Sequence, residues 1–164
     1  MSDASQRRTA LPPPGGMPEA TIDSAGRIKF PSVFFQYLKS LNQPYFFVTT
    51  LDEKKIHLYE PTVWAEIRNK LQEASEKPGG ERQKRAVGQY ARYGDDCLLD
   101  SQGRMVLPQE IRKKFKLANQ RVRMWVFKNR IEIMPPDEYA ELWAETAPAD
   151  PAEDYQILTQ AGFI

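Results

Sequence analysis

The sequence predicts an α+β fold, rich in β-structure, in which one unit of strand, turn, strand, helix, strand and strand is used twice around a helical-hairpin connector. Two observations carry that prediction. The run Asp23-Ser24-Ala25-Gly26-Arg27-Ile28-Lys29-Phe30-Pro31 lines up with Asp100-Ser101-Gln102-Gly103-Arg104-Met105-Val106-Leu107-Pro108, with Asp, Ser, Gly, Arg and Pro at identical spacing. The element order after each run is also shared, down to a closing proline and aromatic: Pro61 and Trp64 against Pro136 and Tyr139.

Each element has a local reason. Ala20-Thr21-Ile22 and Cys97-Leu98-Leu99 are short extended runs entering the motif. Asp23 and Asp100 begin turns, because a carboxylate can accept backbone N–H bonds a few residues on. Gly26 and Gly103 supply a conformation other residues resist. Ile28 to Phe30 and Met105 to Leu107 then return as second strands. Pro31 and Pro108 suit the first turn of a helix. On those helices Phe34 and Leu38, like Ile111 and Phe115, sit four apart and share a face. The strand pairs that follow are expected at Tyr45 to Thr50 with Lys55 to Tyr59, and at Arg121 to Phe127 with Arg130 to Met134. Between the units, Trp64, Ile67, Leu71 and Ala74 fall near one helix face. Pro78-Gly79-Gly80 ends that helix, and a second is expected from Glu81 to about Tyr93.

The chain therefore divides into an unstructured N-terminal arm (1–16), a first repeat (17–63), the connector (64–93), a second repeat (94–137) and a C-terminal helix and tail (138–164). Ala147 to Asp154 reads as loosely held, with Tyr155 to Leu158 and Phe163-Ile164 apolar enough to dock. Trp64, Tyr139 and Trp143 read as core aromatics.

Composition bounds the function. The 164 residues hold no stretch apolar enough to span a membrane, and no secretory signal is expected. The single Cys97 cannot form an internal disulfide or a metal site by itself, so a reducing cytoplasm is the expected compartment. The net charge of +1 conceals a division. Arg104, Arg112, Lys113, Lys114, Lys116, Arg121, Arg123, Lys128 and Arg130 face only Glu110 between them, whereas Glu132 to Asp154 contains acids and no Lys or Arg. A basic surface attracts polyanions.

Arg27 and Arg104 are the first candidates for a DNA contact. A guanidinium fork matches O6 and N7 of guanine or clamps a phosphate, and a two-stranded ribbon fits the major groove. Asp23 and Asp100 are placed to hold the turn and aim the arginine. A bare ion pair closing the turn is the bland alternative; the duplication and the basic surroundings favour DNA. Lys29 is a candidate phosphate contact, and its counterpart Val106 is apolar. Arg112, Lys113, Lys114 and Lys116 are further candidates to touch phosphate, with the wet face of a helix as the favoured reading. His57, the only histidine, sits in an alternating run and is expected to point outward. No zinc spacing, phosphate loop or nucleophile elbow occurs, so neither an enzyme nor a cofactor is expected.

The doubled Asp-x-x-Gly-Arg hairpin, each copy followed by a strand, a proline-started helix and a strand pair, resembles the MraZ family of SpoVT/AbrB-like bacterial regulators. Asn129-Arg130-Ile131-Glu132-Ile133 and the aromatics behind it resemble that family's second unit. The resemblance covers about residues 17 to 145. It implies a double-split β-barrel of two interlocked AbrB-like repeats and protomers assembled into a ring. It also implies hairpins reading short G-rich direct repeats in double-stranded DNA, as a nucleoid-associated repressor of the protein's own division and cell-wall operon. By position it carries to Asp23, Arg27, Asp100 and Arg104. An AbrB-type antitoxin, neutralising a toxin through the acidic tail, is the alternative; a protein-binding scaffold is a further one. The extra proline-rich arm and Val87-Gly88-Gln89-Tyr90 in the connector depart from the family pattern.

Overall fold

A computed structural model describes residues 10–164. The strands are β1 (Glu19–Ile22), β2 (Arg27–Lys29), β3 (Phe46–Thr49), β4 (Ile56–Tyr59), β5 (Asp95–Cys97), β6 (Arg104–Val106), β7 (Arg121–Phe127) and β8 (Arg130–Met134). The helices are α1 (Ser32–Ser40), α2 (Pro61–Ser75), α3 (Glu81–Tyr93), α4 (Gln109–Phe115), α5 (Pro136–Thr146) and α6 (Pro151–Gln160). Residues 1–9 of the expected arm lie outside the described residues. Residues 10–16 form neither helix nor strand, and the Leu11 N–H donates to Ser40 Oγ at 3.0 Å.

All eight strands join one antiparallel sheet in the order β5-β3-β4-β8-β7-β1-β2-β6, a nearly closed split barrel of two repeats. The pairings obey a pseudo-two-fold. The entering strand of each repeat pairs with the third strand of the other, β1 with β7 and β5 with β3. The axis passes between equivalent residues, Ile28 opposite Met105 at one end and His57 opposite Glu132 at the other. Neither repeat completes a sheet alone, so the folding unit is the interlocked pair.

Alternation decides what the barrel encloses. Ile22, Ile28, Phe46, Val48, Ile56, Met105, Met124 and Ile133 point inward and are buried, and Phe34, Leu38 and Ile111 of α1 and α4 join the same core. The connector packs as an α2–α3 hairpin on β3. There Trp64 stacks on Phe47 at 4.3 Å and meets Tyr90 edge-on at 4.9 Å. Gly94 has no room for a side chain: a Cβ would fall 2.3 Å from the Phe47 ring.

Five expectations are corrected. His57 does leave the barrel interior, but it is 4% exposed, because α5 covers the outer face of β7 and β8 and Tyr59 lies beside it. Trp143 is 66% exposed; Tyr139 and Leu142 carry the contact of α5, and Trp143 is turned one step round the helix. The second entering strand is Asp95–Cys97, which leaves Leu98 in solvent. The tail is helical rather than loose at Pro151–Gln160. Asp150 caps it by accepting from the N–H groups of Ala152 and Glu153, Pro151 takes the first turn, and Glu153 and Asp154 are attracted to the positive N-terminal end of the helix dipole. The apolar residues of this tail stay exposed instead of docking.

Burial pushes the His57 pKa below its ordinary value of 6.5, outweighing the pull of Asp52 and Glu132. The unfolded chain then binds a proton that the folded chain refuses, so this stability is present above about pH 6.5 and is lost as the pH falls below it. The melting temperature should drop between pH 7 and pH 5.5, and His57→Leu should flatten that drop. An equal drop in the variant would assign the pH dependence elsewhere.

Candidate nucleic-acid interface

The two turns are built alike. Asp23 Oδ1 accepts the N–H of Ala25 at 2.9 Å and of Arg27 at 3.0 Å, and its Oδ2 accepts Arg27 Nε at 2.8 Å. Asp100 Oδ1 accepts the N–H of Gln102 at 2.8 Å and of Arg104 at 2.9 Å, and its Oδ2 accepts Arg104 Nε at 3.1 Å. Gly26 and Gly103 hold φ of 79° and 78°, a left-handed conformation in which a Cβ is strained. The backbone N–H donated by Arg27 or Arg104, with the other turn bonds, holds each carboxyl below the usual carboxylate range. Each aspartate is thereby committed to its turn. Each arginine is gripped by Nε alone among the described residues, so its Nη groups remain free to donate outward.

Pairing of β2 with β6 brings the two turns into one site. Arg27 lies opposite Val106 and Lys29 opposite Arg104. Since Ile28 and Met105 point into the barrel, Arg27, Lys29, Arg104 and Val106 share its outer face. Arg27 and Arg104 are diagonal neighbours, about 7–8 Å apart at Cα. The Phe30 N–H donates to the Gly103 carbonyl at 2.9 Å, and the Leu107 N–H to the Gly26 carbonyl at 3.1 Å, so each turn is fastened to the opposite repeat. Lys29 Nζ donates to the Gln102 carbonyl, which ties this lysine to the second turn.

All five sequence-predicted residues thus lie on or beside one sheet face. Sequence reasoning missed how far that face extends. The register sets Arg104, Lys29, Thr21 and Arg121 in one row across β6, β2, β1 and β7. Arg121 and Arg123 pair loosely with Glu19 at 3.6 and 3.7 Å. The alternation of Arg121 and Arg123 with buried Val122 and Met124 was the available signal.

Comparisons with known proteins agree with this architecture. A family model, that of the MraZ protein, described as antitoxin-like, matches residues 93–159. A protein of Pediococcus pentosaceus is 30% identical over 130 residues, 78% of this chain and 85% of the relative. One from Limosilactobacillus reuteri is 31% identical over 128 residues, 77% of this chain and 84% of the relative. The chain belongs to the MraZ family. A relative from Acidobacterium capsulatum, 26% identical over 141 residues, spans 86% of this chain and 93% of its own. All three relatives carry the name transcriptional regulator MraZ.

The single cysteine of this MraZ-family chain, Cys97, is buried. Burial, with Asp95 and Asp96 nearby, pushes the Cys97 thiol up to about 12, so no thiolate forms at neutral pH. Among the described residues no helix is long and apolar enough to cross a membrane, and no cluster of His, Cys, Asp and Glu could hold a metal ion.

Proposed function

We propose that the chain is a sequence-specific DNA-binding regulator that represses its own operon, a division and cell-wall gene cluster, from short G-rich direct repeats. The observation that carries this reading is the pair of like-built turns whose arginines stand side by side on one exposed sheet face. Arg27 and Arg104 read bases, Asp23 and Asp100 aim them, and Lys29 contributes positive charge toward phosphate. Several copies in a ring-like homo-oligomer engage successive repeats, so that weak single contacts add through multivalency. The protein works in the cytoplasm, on the nucleoid, without a cofactor and without catalysis.

A gel shift on the DNA upstream of the protein's own gene, run against scrambled DNA at two salt concentrations, tests the reading. Selective retardation that weakens with salt is expected. Equal retardation of both DNAs would overturn it.

One observation favours a second reading, an antitoxin of the same fold. Helix α6 is acidic, exposed along its length and carries Tyr155, Ile157 and Leu158 at the surface, and the matching family is described as antitoxin-like. Co-purification of a small basic toxin held by that tail would support it.

A further inference from the structure

The two hairpins are alike in their turns and unlike in what stands beside them. Helix α4, which follows the second hairpin, is laid against the first. Arg112 covers Gly26, donating from Nε to the Leu107 carbonyl at 3.0 Å and reaching the Ala25 carbonyl from Nη1 at 3.5 Å. Its equivalent in the first repeat is Phe35, which covers Gly103 in the same way. Lys113 and Lys116 correspond likewise to Gln36 and Lys39. From the helix laid against it, the first hairpin thus receives Arg112, Lys113 and Lys116, and the second only Lys39, which lies over the Phe35 ring at 5.4 Å. The Lys29 side chain reaches the second turn from the sheet and is held there by the Gln102 carbonyl.

Between α4 and the tip of the first hairpin an open groove of about 470 Å³ is lined by Ser24, Gly26, Arg112, Lys113 and Lys116 among others. Arg112 is held by backbone carbonyls, which leave its charge unneutralised, and the lysines are weakly committed. Lys114 is drawn away by Glu53 at 3.4 Å. Lys113 meets Glu110 at 3.6 Å with both side chains mostly in water, a pair of little strength. Lys116 makes no ion pair among the described residues. Lys116 also ends α4 in the left-handed region, at φ 51°, where glycine or asparagine would be less strained.

Resting on the DNA-binding reading, we propose that this groove holds a backbone phosphate of the DNA, a site the second hairpin lacks. The chain then sits on DNA with a polarity. Its first hairpin is clamped to the backbone, and its second depends on base contacts.

The test is fluorescence anisotropy of the full chain on upstream and scrambled duplexes across a salt series. It compares Lys113→Gln combined with Lys116→Asn, Lys39→Gln and the unaltered protein. The double variant should lose about tenfold in affinity for both duplexes and flatten the slope of log K against log salt by about 1 to 2. The ratio between duplexes should hold, and Lys39→Gln should leave affinity and slope unaltered. Because asparagine accepts the left-handed backbone, the melting temperature of the double variant should not fall, which separates lost binding from lost folding. An unaltered slope in the double variant, or an equal loss in Lys39→Gln, would overturn the phosphate site. If the unaltered protein binds both duplexes equally, the operator reading falls, while a flattened slope in the double variant still upholds the groove.

Discussion

Arg27→Ala combined with Arg104→Ala should abolish the preference for upstream over scrambled DNA while leaving the fold and the size-exclusion profile intact. Each arginine is anchored to its aspartate through Nε alone among the described residues, which leaves its Nη edge to donate outward. A bidentate contact to guanine is worth about 1–3 kcal/mol of discrimination, or roughly 5- to 150-fold per hairpin. The structural cost is small. The Arg27 and Asp23 side chains are 42% and 40% exposed in their pair, and such exposed pairs contribute about 0–1 kcal/mol. The turns keep their glycines and the backbone bonds to Asp23 Oδ1 and Asp100 Oδ1. Thermal melting and size-exclusion profiles should therefore match the unaltered protein while anisotropy loses selectivity. Retained selectivity in the double variant would remove both arginines from base reading.

The largest expected effect on stability comes from the opposite end of the pseudo-two-fold. Glu132 is 4% exposed, in β8 opposite His57 in β4. Its Oε1 accepts the Trp125 indole N–H at 2.8 Å, and its Oε2 accepts Arg130 Nε and Nη2, each at 3.0 Å. His57 Nε2 lies 3.7 Å from the same oxygen. Glu132→Ala would leave the Arg130 charge and the Trp125 donor half-buried without an acceptor. Breaking a buried pair from one side costs about 3–5 kcal/mol. For a chain of this size that is a fall in melting temperature of roughly 6–20 °C. Glu132→Gln, which keeps an acceptor for the indole, should fall between the two. A loss below about 1 kcal/mol in Glu132→Ala would mean that water replaces the carboxylate and that the cluster contributes little.

Much of the fold was legible because its signals are local. Asp, Gly and Pro at fixed spacing specify turn, return strand and helix start wherever they occur. They did so at Asp23 to Pro31 and again at Asp100 to Pro108. The connector helices followed from periodicity and from the Pro78-Gly79-Gly80 break. Helix α6 was equally local in origin, since Asp150-Pro151 with Glu153 is a helix start. The acidic, proline-containing composition around it obscured that cap.

The sequence by itself determined the two turns and the residues at their tips, because carboxylate–backbone bonds and positive-φ glycines act within a few residues. Only the tertiary structure decided which strands meet. Pairing β2 with β6 places Arg27, Lys29 and Arg104 on one face, and crossing α4 over to the first hairpin sets Arg112 on Gly26. The same crossing of the repeats buries His57 against Glu132, and the seating of α5 leaves Trp143 in water. Those outcomes depend on contacts between residues some 75 positions apart in the chain, where alternation says which way a side chain points but not what covers that face.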